Sequence, residues 1–325
     1  MWRDVKWIVL LAIVASISCS LFSNEESAPE IPGKLVYSAP DENGRYQIYT
    51  SLTNDTKKKQ LTQSGAEEAE FFNPSWSNDG TQIALTSTLE SSSNGLSLYI
   101  MNADGSDLRP LKERPNSQIV TPGSNPVWSP DDSKIAFDWC TNCELGGNNF
   151  EIYAYDFKTD SIQQITDNLA RDFFPKWSNV DSSSIIFKSN RKNFNEEVST
   201  FKDDLFVFNY SNQKILQITD TSKVGAFAQR PNDGILLIRP FELEGKNWFL
   251  LNLKNQKAKD FILPETIDKE RAAPVKWSKN GDAILIRSLV GNNFVYNFYD
   301  IMTERLIEID IVDLKRSDLD WIQNN

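Results

Sequence analysis

Three cysteines, 45 carboxylates and not one histidine bound the chemistry open to this chain. Without histidine there is no Ser-His-Asp or Cys-His nucleophile, and the commonest general base and transition-metal ligand are missing. Cys140 and Cys143 form a Cys-x-x-Cys pair. A zinc site needs about four ligands, and no third cysteine lies nearby to join these two. A dithiol redox motif would open a helix, which the flanking residues do not form. A local disulfide pinching a loop is the first expectation and a pair of free thiols the second. Paired carboxylates cleave glycosides without histidine, but the acids are spread along the chain and single out no pair. A glycine-rich phosphate loop is also missing, so no cofactor and no metal are expected.

Cys19 has a different setting. Met1–Lys6 is short and basic, and Trp7–Ile17 is an apolar core too brief to span a bilayer, the form of a secretory signal. Ser16-Ile17-Ser18-Cys19 resembles a bacterial lipobox, with Ser16 where leucine is usual. The expectation is a leader over 1–19, lipidation at Cys19, and an exported protein, periplasmic or on the cell surface, held to its membrane by lipid. An ordinary cleaved signal or an uncleaved anchor are the alternatives. Residues 20–33 read as a polar, proline-containing tether.

The net charge of −11 argues against nucleic-acid binding and against docking on anionic lipid by charge. Lys57-Lys58-Lys59 is the one basic run along the sequence and reads as a solvated strand edge.

The elements that must position any site come from a repeat. Trp76-Ser77-Asn78-Asp79-Gly80 recurs as Trp128-Ser129-Pro130-Asp131-Asp132, Trp177-Ser178-Asn179-Val180-Asp181 and Trp277-Ser278-Lys279-Asn280-Gly281. A worn copy, Arg230-Pro231-Asn232-Asp233-Gly234, has Arg230 in place of the tryptophan. Steps of 52, 49, 53 and 47 residues separate the leading positions, a period that signals an array of supersecondary units. Each unit has a segment ending in the aromatic, a tight turn, and a β-branched run such as Lys134-Ile135-Ala136-Phe137. An aromatic run such as Ile152-Tyr153-Ala154-Tyr155 and a last strand such as Gln163-Gln164-Ile165-Thr166 follow. Four antiparallel strands repeated radially make a β-propeller blade.

The first unit, from Lys34, lacks its opening strand, and Asp318-Leu319-Asp320-Trp321 is an opening strand with nothing after it. The expectation is an all-β, six-bladed propeller over 34–325, its ring closed by the C-terminal strand joining the N-terminal blade. The tryptophans are then core between blades, and Asp79, Asp131 and Asp233 hold turns rather than metal.

The pattern Pro-x-Trp-Ser-x-Asp-Gly, strand, Ile-Tyr, turn, Leu-Thr resembles the TolB-type propeller repeat over residues 33–325. The same repeat occurs in the propellers of prolyl oligopeptidase-like peptidases. The resemblance implies the fold. A TolB α/β domain and a peptidase α/β-hydrolase domain are not expected, because only the leader and tether precede Lys34.

Loop lengths locate a candidate binding face. Turns one and three of each unit are short. Thr86–Leu96, Asp138–Phe150 and Lys188–Asp204 at turn two are long, as are Ser64–Phe72, Lys112–Ser124 and Pro264–Arg271 between units. In an antiparallel blade all six fall on one face, and loop-rich faces of rigid scaffolds carry function. Phe194, Phe201, Asn148 and Asn149 on these loops are the candidate contact residues. Two functions follow. One is a non-catalytic exported scaffold binding a protein partner or an extracellular polymer. The other is a carbohydrate-active hydrolase or lyase with acids converging on the axis. An axis of apolar, serine and asparagine side chains would argue for the first.

Overall fold

A computed structural model describes residues 31–55, 57–65, 68–89, 96–111, 123–141, 149–181, 183–191, 202–220, 223–241, 246–314, 316 and 318–323. The leader, most of the tether, Cys19, Cys143, Asn148, Phe194 and Phe201 lie outside the described residues. The described strands form six four-stranded antiparallel sheets, and no α-helix is present among the described residues.

From the innermost strand outward, blade 1 is Leu319–Ile322, Lys34–Pro40, Tyr46–Leu52 and Lys59–Gln60. Blade 2 is Phe71–Trp76, Gln82–Ser87, Ser97–Asn102 and Arg109–Pro110. Blade 3 is Ser124–Trp128, Lys134–Cys140, Phe150–Asp156 and Ser161–Gln164. Blade 4 is Asp172–Trp177, Ser184–Ser189, Asp204–Asn209 and Lys214–Gln217. Blade 5 is Val224–Gln229, Ile235–Pro240, Trp248–Asn252 and Ala258–Phe261. Blade 6 is Ala272–Trp277, Ala283–Val290, Asn293–Asp300 and Arg305–Leu314. The last strand is longer than the sequence expectation of Ile307–Ile309. The tight turn at Gly291, φ 60°, extends the preceding hairpin and offers that strand a longer partner.

The second strands are apolar at successive positions because both faces of each sheet are buried. Ile83 and Leu85 pack with Val36 and Ile48 of blade 1, while Ala84 between them packs with Trp128 and Ile135 of blade 3. Clusters of this kind fill all six blade interfaces, so the strands read as continuous runs rather than alternating ones. The repeated tryptophans belong to these interfaces. The indole N–H of Trp128 donates to the Ser75 carbonyl of blade 2 at 3.1 Å, and that of Trp177 to the Val127 carbonyl of blade 3 at 3.1 Å.

Ring closure follows the expected pairing, Leu35 opposite Trp321 and Tyr37 opposite Leu319. Gly33 makes this possible: a Cβ there would lie 2.2 Å from the Trp321 indole nitrogen and 2.6 Å from the Ile322 carbonyl oxygen. The turn motif acts as expected. Asp79 accepts from Ser77 and Thr81, and Asp131 from Ser129 and Ser133, which holds both carboxyls below their ordinary range. Asp132, at φ 57° where three of the other copies carry glycine, accepts the amides of Asn78 and Asp79 and so ties blade 2 to blade 3.

Candidate functional site

The inner strands enclose an axial cavity of about 390 Å³ to which all six blades contribute. These strands are not regular. Blades 2 to 6 each shift register near the middle of the inner strand, and bulges re-aim side chains. Asn73, Asn125 and Phe174 occupy the bulge in blades 2, 3 and 4 with φ of 49°, 51° and 54°. Asparagine tolerates this left-handed conformation; phenylalanine gains nothing from it.

Next to the bulge, one position of the second strand reads Ser38, Thr86, Asp138, Lys188, Arg239 and Arg287 around blades 1 to 6. The ring is therefore divided: hydroxyls and an acid on one side, three cations on the other. Asp138 is buried, which raises its carboxyl above the usual range, and it accepts from Ser124, from Asn125 Nδ2 at 2.9 Å and from the Phe174 amide at 2.8 Å. It thereby fixes the Phe174 bulge from the neighbouring blade.

Six charged side chains line the cavity: Lys176, Lys188, Lys276, Arg287, Asp318 and Asp320. Lys276 Nζ donates to Asp320 Oδ1 at 2.8 Å, and the Trp76 amide donates to Oδ2 at 2.8 Å. Asp318 Oδ2 accepts from Ser38 Oγ at 2.5 Å and from the Asn73 amide at 3.0 Å, and burial raises its carboxyl. Lys188 pairs with Asp203 at 3.0 Å and donates to the Gly225 carbonyl at 3.1 Å. Arg287 lies over the Phe294 ring. Lys176 has no hydrogen bond and no ion pair among the described residues; burial lowers its pKa, with Asp320 opposing and Lys276 and Arg287 adding to the shift. The axis thus combines both expectations: Asp318 and Asp320 line it, as do Asn73, Ser75, Asn125, Pro126 and Val275, and four cations outnumber the two carboxylates.

Asn149 is placed on the loop-rich face at the edge of blade 3, away from the axis. Its Nδ2 donates to the Asn168 carbonyl at 3.0 Å. Beneath it Asn168 bridges two buried acids, its amide donating to Glu151 Oε1 at 2.7 Å and its Nδ2 to Asp172 Oδ2 at 2.8 Å. Arg191 Nη2 meets the same Asp172 oxygen at 2.5 Å. Burial pushes the Glu151 carboxyl up from 4.5 to about 7, against the Thr166 and Asn168 hydrogen bonds and with help from Asp172 and Asp167. Cys140, at the end of its strand, is disulfide-bonded. No group of three or more metal-ligating side chains occurs among the described residues.

The sequence reasoning missed four exposed apolar side chains on this face. Leu169 is 67% exposed, Phe174 46%, Phe241 47% and Val290 61%. Phe174 and Val290 sit within repeat strands, where the periodic pattern reads them as core.

Six four-stranded blades around a charged axial cavity define the molecule as a six-bladed β-propeller. Its structure is similar to that of TolB from Acinetobacter baumannii, with TM-score 0.64 at 17% identity over 90% of this chain and 67% of that one. It is similar also to a putative TolB from Agrobacterium tumefaciens, with TM-score 0.58 at 14% identity over 87% and 89% of the two chains. An oligogalacturonate lyase from Vibrio parahaemolyticus shares the fold with TM-score 0.53 at 12% identity over 80% and 73%. The chain has a TolB-like propeller fold. No protein-family model and no curated protein matches the sequence.

Proposed function

We propose that the protein is an exported, lipid-anchored propeller that binds a protein partner through its loop-rich face without catalysing a reaction. The observation that carries this reading is the set of solvent-exposed Leu169, Phe174, Phe241 and Val290 on the face where the long connections emerge. Exposed apolar groups on a rigid scaffold suit an interaction surface. Cys19 supplies the anchor, and a Cys140–Cys143 bridge fixes the turn-two loop of blade 3. The two cavity acids support a binding role, since both are already engaged by donors. The test is cross-linked co-purification from native membranes, comparing the wild type with Phe241→Asp combined with Val290→Asp. Recovery of the same proteins in the same yield would place the interface elsewhere; selective recovery of a polysaccharide would make the partner a polymer.

A second reading is favoured by Lys176. Burial lowers the pKa of this amine from its ordinary value, which moves it toward the role of a base. In an acidic oligosaccharide it would take the proton beside the uronate carboxylate while Arg287 offsets the carboxylate charge. The glycosidic oxygen would leave and a carbon–carbon double bond would form. Incubation with oligogalacturonate, followed by ultraviolet absorbance of the unsaturated product, checks it; no rise over a Lys176→Met control sinks this reading.

A further inference from the structure

We propose that the axial cavity is a binding site for a carboxylate carried on an apolar ring, with the Lys176 ammonium as its counter-ion. The site lies inside the ring, so the inference needs neither the loop-face partner nor any turnover.

Lys176 is the cation that the fold leaves unmatched. Lys188 has Asp203, and Lys276 has Asp320. Lys276 and the Trp76 amide each engage one oxygen of Asp320, which supports the Lys176 ammonium through space without a hydrogen bond to it. Asp318 Oδ2 is held by Ser38 and Asn73, while its Oδ1 is buried without a hydrogen-bond partner. Cations then outnumber acids in a cavity with low-dielectric walls, although the whole chain carries −11. Lys176 is partly buried; drawing a charge out of bulk water is costly, and a bound anion offsets that cost.

A second orphan donor points the same way. Gln229 lines the cavity and is 7% exposed. Its Oε1 accepts the Asn179 amide at 3.1 Å, but its Nε2 is buried without a hydrogen-bond partner. An unmet ammonium and an unmet amide in one cavity wall match an acceptor-only ligand.

The apolar part of the wall, which lies beside Asn73, Ser75, Asn78, Asn125 and Asn179, selects the kind of anion. Pro74, Pro126, Pro175, Val275 and Leu319 line the cavity with the exposed ring of Phe174. Apolar walls offer nothing to the hydration shell of inorganic phosphate but suit the ring of an aromatic or sugar acid. The cavity volume of about 390 Å³ is ample for one such ring.

Calorimetric titration of the intact protein with benzoate, benzamide and inorganic phosphate tests the site in wild type, Lys176→Met and Lys176→Arg. Benzoate is expected to bind the wild type and the arginine variant, and about tenfold or more weaker to Lys176→Met. Benzamide and phosphate are expected to bind about tenfold or more weaker than benzoate. Equal benzoate affinity in Lys176→Met, or equal affinity for benzamide, or tighter binding of phosphate, overturns the proposal. A single thermal transition in Lys176→Met, no lower than in wild type, shows that lost binding is not lost folding. Given that result, displacement of the co-purifying partner by benzoate would identify the carboxylate as an acidic group of that partner. Retention of the partner would identify it as a free acid.

Discussion

Glu151 is a side chain whose protonation is tied to folding. Its folded pKa of about 7 stands above the ordinary 4.5 because burial beside Asp172 disfavours the anion. Between those values the folded chain holds a proton that the unfolded chain has released, so stability falls as pH rises from about 4.5 to 7. Glu151→Gln keeps an acceptor for the Asn168 amide and removes the titration. Relative to wild type it is expected to be nearly neutral at pH 4.5 and to stabilise by up to about 3 kcal/mol above pH 7. Denaturant unfolding across that range checks it, and parallel pH profiles for the two proteins would refute it. Phe174 is the other residue with an identifiable cost. Blades 2 and 3 place asparagine at its left-handed position, so Phe174→Asn is expected to stabilise by about 0.5–1 kcal/mol while weakening capture of the partner. Thermal unfolding and co-purification on the same sample read both effects.

At the scale of the element, the tryptophan that ends the inner strand of every blade but the fifth joins that blade to the one before it. Trp128 and Trp177 use the indole N–H for that purpose, whereas Trp76 buries its N–H without a hydrogen-bond partner. Both Trp128→Phe and Trp76→Phe lose ring volume, and only the first breaks a hydrogen bond and orphans the Ser75 carbonyl. Trp128→Phe is therefore expected to cost about 1 kcal/mol more than Trp76→Phe. Equal losses in denaturant unfolding would show that the indole contact contributes nothing beyond its area. The strands themselves were legible in the sequence: Ile83-Ala84-Leu85 and Ile135-Ala136-Phe137 could only be two-sided buried strands between turns. The bulges were not, because a register shift at Asn73 or Phe174 depends on donors such as the Phe174 amide meeting Asp138 of another blade.

For the whole molecule, stability depends on one seam. Trp321 is buried against Leu35, Leu285 and Phe298, and Gly33 leaves just enough room for it. Trp321→Ala is expected to cost about 3–5 kcal/mol, and Gly33→Ala to lower the melting temperature by forcing the indole aside. Calorimetry reads both; a melt unchanged in either variant would mean that the closing strand does not hold the ring. The closed ring leaves each four-stranded blade only short, protected edges.

Taken alone, the sequence determined the fold. A motif that returns every fifty residues counts the blades, and an orphan copy at Trp321 completes the first of them, because periodicity and turn chemistry are local properties of the chain. It also ruled out histidine chemistry outright. The axial cavity was decided by the tertiary structure alone. Lys176, Lys188, Lys276 and Arg287 are scattered over more than a hundred residues of an acidic chain, and no stretch of sequence reads as basic there. They meet because radial symmetry brings the same position of different repeats to one axis, where burial and mutual repulsion, not sequence proximity, set their chemistry.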